Sequence, residues 1–298
     1  MDHRTLLYFT TLIDQGSFTK AAKTLHISQP SLSSAIKKLE SNVGLSLIER
    51  STRKSTLTTE GEIFYSEAKK LLNHFNYVNK EMIRLKQDGP LELQIGLIES
   101  VKYWLPKVIA KYSKSNPDLH IKLFEVLGLS QVENVLQNYK IHLAITNQYF
   151  ETEDIVTIPI YNENLVALLP IGHSLQDANH ISIKDIQNDH LIISKEGFQT
   201  RDDILNEFQK SNMKPKIRFE IERFETACSL VEEGLGITIV PENYVKYIQH
   251  PPFVIKPINS NNLSRTVYIA HMKNRYLPPV VMEFIDITKD FFRHHDNL

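Results

Sequence analysis

The sequence predicts three parts in order: an all-α winged helix-turn-helix domain, one long helix and an α/β domain. Two short amphipathic helical patterns separated by only three residues predict the first part, within residues 1–58. A heptad pattern of apolar residues predicts the long helix over residues 59–88. Short apolar segments alternate with amphipathic stretches through residues 89–298, which predicts strand–helix–strand units and hence an α/β domain. Seven segments are predicted as strands: LELQIGL, LHIKLFEV, IHLAIT, LVALLP, HLIIS, KIRFEI and GITIVP.

The helix-turn-helix prediction depends on apolar spacing and on the residues opposite it. Apolar residues recur at helical spacing in both patterns: Phe18, Ala21, Ala22 and Leu25, then Leu32, Ala35, Ile36 and Leu39. The other face of the second helix and its N-terminal cap carry small, hydroxyl, amide and cationic side chains: Ser28, Gln29, Pro30, Ser31, Ser33, Ser34, Lys37 and Lys38. Small side chains let a helix approach base edges and lysines contact phosphates, so this face is predicted to bind the major groove of double-stranded DNA. A helical hairpin with a solvated outer face is the alternative.

The segment after the second helix predicts a two-stranded wing with a basic tip. Arg50, Arg53 and Lys54 lie within five residues, and their cations could contact phosphates or a minor groove. Residues 1–58 hold eight Lys and Arg against four Asp and Glu, a formal charge of +4, whereas the whole chain carries −1. A basic module on an acidic body indicates nucleic-acid binding by one end of the chain. Solubilising surface charge is the alternative.

The long helix carries a seam of apolar residues spaced 4, 3, 4, 3, 4 and 3 apart: Phe64, Ala68, Leu71, Phe75, Val78, Met82 and Leu85. A heptad seam of this length indicates a coiled coil, because a helix that faces its own core more often follows a wider 3.6-residue stripe. We therefore expect residues 59–88 to dimerise the chain. A dimer suits a helix-turn-helix, because two recognition helices on a two-fold axis read a palindromic site.

The segment YFTTLIDQGSFTKAAKTLHISQPSLSSAIKKLE, followed by GLSLIERSTRKSTLTTEG, resembles the winged helix-turn-helix of the LysR-type transcriptional regulators. The motifs AA (Ala21-Ala22), SQPS (Ser28–Ser31), S..I..LE (Ser33–Glu40) and LTTEG (Leu57–Gly61) carry the match. Ile48 replaces a usual Phe of the family, and Ser34 replaces a frequent basic residue. The remainder of the chain has the length and element order of the family.

The resemblance implies that residues 89–298 form an effector-binding domain of periplasmic-binding-protein type, with two subdomains around a cleft. One subdomain is expected over about 91–161 plus 267–298 and the other over about 162–266. The resemblance also implies a tetramer built as a dimer of dimers. No cofactor is implied; the expected partners are DNA, a small-molecule effector and further copies of the chain.

The predicted effector site lies in the cleft and is centred on three hydroxyls: Ser100, Ser130 and Thr200. Ser130 with Glu133, and Thr200 with Asp203, have capping-box spacing, and hydroxyls at helix N-termini favour a small organic anion. The family usually places effector contacts at these hydroxyl positions, although a plain N-cap explains each one singly. The predicted site also includes Val101, Gly128, Thr146, Phe198, Gln199, Phe224 and Thr226. Lys195 and Arg201 could neutralise the carboxylate of an effector. An ordinary role as surface charges explains these two residues equally well.

Several classes of function find no support in the sequence. No G-x-S-x-G, P-loop or kinase signature occurs, and the GxG of GLGITIVP precedes a strand, the reverse of a dinucleotide-binding turn. The twelve histidines lack zinc-ligand spacing, so no metal site is predicted. One cysteine, no signal peptide and no apolar run of ~20 residues predict a cytoplasmic protein with no membrane contact.

Three classes of protein are compatible with at least part of this sequence. A ligand-responsive transcriptional regulator accounts for all three parts of the chain. A solute-binding transport receptor would account only for residues 91–298 and would need a signal peptide. An enzyme with an accessory DNA-binding module would need a catalytic constellation. We therefore expect a sequence-specific DNA-binding regulator, without catalytic activity, that responds to a small effector.

Overall fold

The computed structural model describes residues 1–50, 55–87, 92–150, 152–260 and 262–293. The chain forms two compact units, Met1–Gly89 with Gln137–Tyr139 and Pro90–Leu136 with Lys140–Leu298. No helix in the part of the chain that the structure describes is both long and apolar enough to cross a membrane.

The first unit is a winged helix-turn-helix followed by a long helix. Its elements are α1 (His3–Gln15), α2 (Phe18–Thr24), α3 (Gln29–Val43), β1 (Ile48–Arg50), β2 (Ser55–Leu57) and α4 (Thr59–Gln87). Gly16 and Gly44 end α1 and α3 in the left-handed region, with φ of 61° and 76°. Phe9, Leu12 and Leu32 are fully buried in the core that the helices share. The predicted pair of helices is confirmed, and Pro30 lies in the first turn of the second helix.

Side-chain to backbone bonds fix the wing against the helices on either side. The Glu40 carboxylate, near the end of α3, accepts the N–H groups of Leu47 at 2.8 Å and Ile48 at 3.1 Å. The Thr58 hydroxyl donates to the Ser46 carbonyl at 2.8 Å and accepts the Gly61 N–H at 3.0 Å, so Thr58 caps α4. A Cβ added at Gly61 would lie 2.0 Å from the Leu47 carbonyl oxygen. The backbone just before β1 therefore lies against the first turn of α4, and only glycine at position 61 fits this contact.

The apolar seam of α4 divides into a packed part and an exposed part. Phe64 packs edge-on against Phe9, with ring centroids 5.1 Å apart, and Ala68 is 2% exposed. These two positions therefore pack within their own unit, which differs from their predicted place in a dimer contact. The other five seam residues are 40–58% exposed: Leu71, Phe75, Val78, Met82 and Leu85.

The second unit is an α/β structure in which, among the described residues, nine strands pair in the order β4-β3-β5-β11-β6-β9-β7-β8, with β10 on β6. Its strands are β3 (Glu92–Leu97), β4 (His120–Glu125), β5 (Leu143–Thr146), β6 (Ile155–Pro170), β7 (His190–Ser194), β8 (Lys216–Ile221), β9 (Ile237–Pro241), β10 (Phe253–Pro257) and β11 (Ser264–Met272). Its helices are a 3₁₀ turn (Glu99–Tyr103), α5 (Leu105–Ser115), α6 (Leu129–Gln137), α7 (Gln199–Lys210), α8 (Phe224–Glu232), α9 (Glu242–Val245) and α10 (Pro279–Arg293).

The second unit has two lobes, each with its own core. The first lobe contains β3, β4 and β5 with α5, α6 and α10, and Leu93, Ile269 and Phe284 are fully buried in it. The second lobe contains β7 to β10 with α7, α8 and α9. The antiparallel strands β6 and β11 connect the lobes: β6 pairs with β11 and, further along, with β9 of the second lobe, and β11 follows Leu263, which is buried in the core of the second lobe. This two-lobed α/β architecture confirms the predicted fold class, and the predicted subdomain boundaries fall inside these two continuous strands.

Candidate nucleic-acid interface and effector cleft

The outer face of α3 presents the residues that the sequence assigns to DNA binding. Ser28 caps the helix, because its hydroxyl accepts the Ser31 N–H at 3.3 Å. Seven of the predicted residues are exposed and Ser33 is half-buried; the exposed ones are Ser28, Gln29, Pro30, Ser31, Ser34, Lys37 and Lys38. Leu32, Ile36 and Leu39 point into the core. The predicted contact residues therefore share one solvent-facing surface of a helix that its cap and core hold in place.

The predicted basic wing falls at the connection between β1 and β2. Arg50 is the last residue of β1 and pairs in register with Ser55 of β2. Arg53 and Lys54 lie outside the described residues. Two further cations, Lys20 and Lys23, are exposed on α2, the first helix of the motif. These lysines contribute to the predicted charge of the module but are not among the predicted DNA contacts, although the first helix of such a motif crosses the DNA backbone.

Between the lobes of the second unit, an arginine joins two of the predicted effector hydroxyls. Ser100, in the 3₁₀ turn after β3, is fully buried; its Oγ donates to Glu163 Oε1 at 3.0 Å and accepts from Arg265 Nη2 at 3.1 Å. Thr200, on α7 of the second lobe, accepts from Arg265 Nη1 at 2.8 Å. The four residues Ser100, Glu163, Thr200 and Arg265 are called the Arg265 cluster below. The cluster brings a hydroxyl from each lobe to one point, and its charged pair was not predicted.

The charged pair at the centre of the cluster is deeply buried. Arg265 Nη2 lies 2.7 Å from Glu163 Oε1, and the two side chains are 6% and 1% exposed. Arg265 Nε donates to the same oxygen at 2.8 Å. The two residues face each other in register on β11 and β6, the strands that cross between the lobes. The signal in the sequence is one acidic residue in β6 and one arginine in β11, but only strand pairing shows that they meet.

The predicted capping boxes are wrong, because Ser130 and Thr200 are each the second residue of their helix and do not hold its N-cap position. Phe198 holds the N-cap position of α7, and Thr200 instead accepts from Arg265. At the start of α6, the side-chain carbonyl of Gln131 accepts the N–H groups of Leu127 and Gly128 at 3.3 and 3.4 Å. Ser130 is exposed and lines a cavity of about 440 Å³ together with Gln131.

The N-terminus of α8 is occupied by a carboxylate of the chain. Both oxygens of Glu99 accept the N–H of Phe224, at 3.1 and 3.3 Å, and Arg223 pairs with Glu125 of β4. Burial raises the pKa of Glu99, although the Phe224 N–H and the Arg223 charge lower it. Both contacts join the two lobes. Beside them, a cavity of about 710 Å³ is lined from both lobes, and Val101 is one of its lining residues.

The other predicted cleft residues have varied surroundings. A Cβ added at Gly128 would lie 3.2 Å from the Gly197 carbonyl oxygen, so the lobes approach closely at this glycine. Thr146 is buried and its hydroxyl accepts the Gln148 N–H at 3.1 Å. Thr226 is exposed on α8.

The residues around the start of α7 make contacts within the second lobe. The Gln199 amide donates to Asp203 at 2.9 Å, and burial raises the pKa of that carboxyl group. The half-buried Phe198 ring lies 5.9 Å from Lys195 Nζ, and Lys195 pairs with Glu222.

Arg201 also has partners inside its own lobe. It donates to the Ser194 carbonyl at 2.8 Å and pairs with Glu220 at 2.7 Å. Both Lys195 and Arg201, the cations considered for an effector carboxylate, therefore already have acidic partners.

Both units of the chain match families of known proteins. Residues 3–62 match the family model of the bacterial regulatory helix-turn-helix protein, lysR family, and residues 87–293 match that of the LysR substrate binding domain. An uncharacterized HTH-type transcriptional regulator of Bacillus subtilis (strain 168), YcgK, is 30% identical over 97% of this chain and 94% of its own length.

Two solved structures illustrate the likeness in fold. The crystal structure of CbnR, a LysR family transcriptional regulator, is 22% identical and superposes with a TM-score of 0.71 over 98% of this chain and 99% of its own. The effector binding domain of QuiR in complex with shikimate is 25% identical, with a TM-score of 0.63 over 70% of this chain and 99% of its own.

Proposed function

The chain belongs to the LysR family of transcriptional regulators, and we propose that it binds operator DNA through α3 as a homodimer or dimer of dimers. A small organic anion in the cleft between the lobes changes that binding. In this proposal residues 1–58 bind DNA, residues 59–88 dimerise the chain and residues 89–298 hold the effector. The observation that carries the proposal is the single exposed face of α3, opposite its buried apolar residues.

The side chains on that face divide by the chemistry they offer to DNA. The Gln29 amide can read a base edge in the major groove, and the hydroxyls of Ser31, Ser33 and Ser34 offer shorter-range contacts. Lys37 and Lys38 lie one turn further along α3 than Ser33 and Ser34 and contact phosphates. The wing cations contact phosphates as well: Arg50, Arg53 and Lys54. Because cations that meet phosphates carry no sequence information, specificity is assigned to the first turn of α3.

The exposed half of the α4 seam supports dimerisation. Its five apolar residues recur at heptad spacing and are 40–58% exposed on the single chain. Exposed large apolar residues in a continuous row mark a contact with another protein surface. A second copy of α4 offers the same row, as a two-fold dimer requires.

The cleft supports effector binding, because the Arg265 cluster joins groups from both lobes. Ser100, Ser130 and Thr200 are assigned as effector contacts, with Val101, Gly128, Thr146, Phe198, Gln199, Phe224 and Thr226 around them. The QuiR effector binding domain, solved with shikimate, supports a carboxylic acid as the effector class. A ligand that prefers one arrangement of the lobes tenfold would shift their equilibrium by about 1.4 kcal/mol.

We assign no catalytic activity to the chain and place its action in the cytoplasm, where it meets operator DNA. Membership of a family of transcriptional regulators supports both assignments.

The test uses the full chain and the DNA upstream of its own coding sequence, because regulators of this kind often control neighbouring genes. Footprinting is expected to show a protected site with two related halves, and a shuffled fragment of equal length serves as the control. A panel of metabolites added to the complex is expected to contain one that changes the footprint. Equal affinity for the native and shuffled fragments would overturn the proposal.

A further inference from the structure

The Arg265 cluster contains a buried carboxylate oxygen that no group in the described part of the chain satisfies. Glu163 Oε2 is buried without a hydrogen-bond partner, and the side chain is 1% exposed. Oε1 of the same carboxylate accepts from Ser100 Oγ and from Nε of Arg265, and Nη2 of Arg265 lies 2.7 Å from it. A buried acceptor without a donor is costly, so this oxygen is suited to a donor supplied by a bound molecule.

The positive charge of the cluster is not available to attract an anion. Arg265 is neutralised by Glu163 at 2.7 Å, and its other N–H bonds in the cluster go to Thr200 and Ser100. Since the pair carries no net charge, a carboxylate alone would gain little from entering beside it. The free acceptor of Glu163 would also repel it.

The cluster still offers a donor to a ligand acceptor. Thr200 Oγ1 accepts from Arg265, which leaves the hydroxyl proton of Thr200 to be donated. A ligand with an acceptor and a donor close together would satisfy Thr200 and Glu163 at once. Such a ligand would also touch both lobes, because Thr200 lies on the second lobe and Glu163 on a strand that crosses between them.

We propose that Glu163 Oε2 accepts a hydrogen bond from the effector, and that the effector is therefore a hydroxy acid or an amino acid rather than a simple carboxylate. The inference rests on the proposed effector site in the cleft. It names the class of effector and the residue that selects that class.

The test measures binding of matched pairs of acids to the full chain by the fluorescence of Trp104, the one tryptophan of the sequence. Trp104 Nε1 donates to Tyr161 Oη at 3.1 Å, two residues along β6 from Glu163, so the signal originates beside the cluster. Within each pair the acids share a skeleton and differ by one donor. Lactate and propionate, malate and succinate, and mandelate and phenylacetate test a hydroxyl; alanine and propionate, and aspartate and succinate, test an ammonium group.

The wild-type chain is expected to bind the donor-bearing acid of at least one pair tenfold or more tightly than its partner. Glu163→Gln places an amide at the acceptor position and is expected to remove that difference, while Glu232→Gln, which changes an exposed glutamate on α8, is expected to keep it. If Glu163→Gln fails to fold, Glu163→Asp takes its place, because it keeps the charge opposite Arg265 and withdraws the free oxygen. A preference within the hydroxyl pairs would identify a hydroxy acid as the effector, and a preference within the ammonium pairs would identify an amino acid.

Two results would overturn the inference: no pair shows a donor preference in the wild-type chain, or the preference persists in the Glu163 variant. Either result would mean that a bound water, and not the effector, donates to Glu163 Oε2. The footprint on upstream DNA is measured on the same preparations and tests the proposed function separately. If operator binding and a response to some acid persist without donor preference, only the inference fails; without operator binding, the proposed function fails.

Discussion

The carboxylate of Glu99 accepts the backbone N–H of Phe224 at 3.1 Å, although the two residues lie on different lobes of the effector domain. The positive end of a helix is a natural position for an anion, and here the chain supplies its own. The contact joins the lobes at the cleft. An effector carboxylate at this position would therefore have to displace Glu99, and the displacement would release one link between the lobes.

The first prediction concerns the pH dependence of stability. Burial raises the pKa of Glu99 above its ordinary value of 4.5, so the folded chain binds this proton more tightly than the unfolded chain. The Glu99 contribution to the free energy of unfolding is therefore present at low pH and falls as the pH rises from about 4.5 through the raised pKa. We expect the stability of the wild-type chain relative to Glu99→Gln to fall over this range, as measured by urea unfolding with Trp104 fluorescence.

Glu225→Gln, which removes an exposed carboxylate from the same α8 turn, is the control for losing one negative charge. If the two variants differ from the wild type by the same amount at every pH, the burial of Glu99 is not the cause.

The second prediction concerns the buried ion pair. Arg265→Met leaves the Glu163 carboxylate buried without its partner and should cost about 3–5 kcal/mol of unfolding free energy. Lys122→Met, which breaks the more exposed Lys122–Glu92 pair of 2.8 Å on the first lobe, should cost only about 0–1 kcal/mol. Unfolding in urea, followed through Trp104, measures both. Equal losses would show that burial of the Arg265 pair has no special energetic weight.

The third prediction concerns the contact between the wing and α4. Gly61→Ala would place a Cβ 2.0 Å from the Leu47 carbonyl oxygen, and two backbones must move apart to accommodate it. We expect the DNA-binding unit to lose about 1–3 kcal/mol of stability. Faster hydrogen exchange of the α3 amides would report the loss, with the exposed Ser66→Ala on the same helix as control. Protection equal to that of the control would contradict the close contact.

The fourth prediction concerns the exposed seam of α4. Replacing Leu71 and Phe75 with Asp places like charges face to face between two copies, so the dimer should dissociate while the DNA-binding unit stays folded. Sedimentation velocity of the full chain measures the mass. Ile83→Asp changes a residue on α4 that is 56% exposed and lies outside the seam, so it should leave the mass unchanged. A double variant that keeps the mass of the wild type would place the dimer contact elsewhere.

The sequence predicts the helical and strand pattern well, because that pattern is local. The spacing of apolar residues located α3 and its exposed face, and seven apolar segments correctly predicted strands in β3 to β9. The first half of β6, and all of β10 and β11, were not predicted as strands. Polar or charged residues and prolines interrupt these segments, including Glu163 in β6, Lys256 in β10 and Arg265 in β11, and so shorten the apolar runs on which the prediction depends.

The contacts of the cleft could not be predicted, because they join residues far apart in the chain. Thr200 was interpreted as a cap for its own helix, whereas it accepts from Arg265, which follows it by 65 residues. Ser100 lies between the lobes beside Arg265, and its contact with an effector stays a prediction; Glu163 and Arg265 are not among the predicted residues. Their signal was a pair of opposite charges in two strands, and only the register between β6 and β11 brings those charges together.

The central claim is that α3 reads a specific DNA sequence, and selection of bound DNA from a random pool tests it most directly. The full chain should enrich a site with two half-sites related by a two-fold axis. Gln29→Ala should lose about 1–3 kcal/mol of discrimination at one base pair in each half. Lys38→Ala, on the same exposed face, should weaken binding evenly across sequences and reduce its salt dependence. A pool without an enriched sequence, or an enriched sequence that Gln29→Ala selects equally well, would contradict the account.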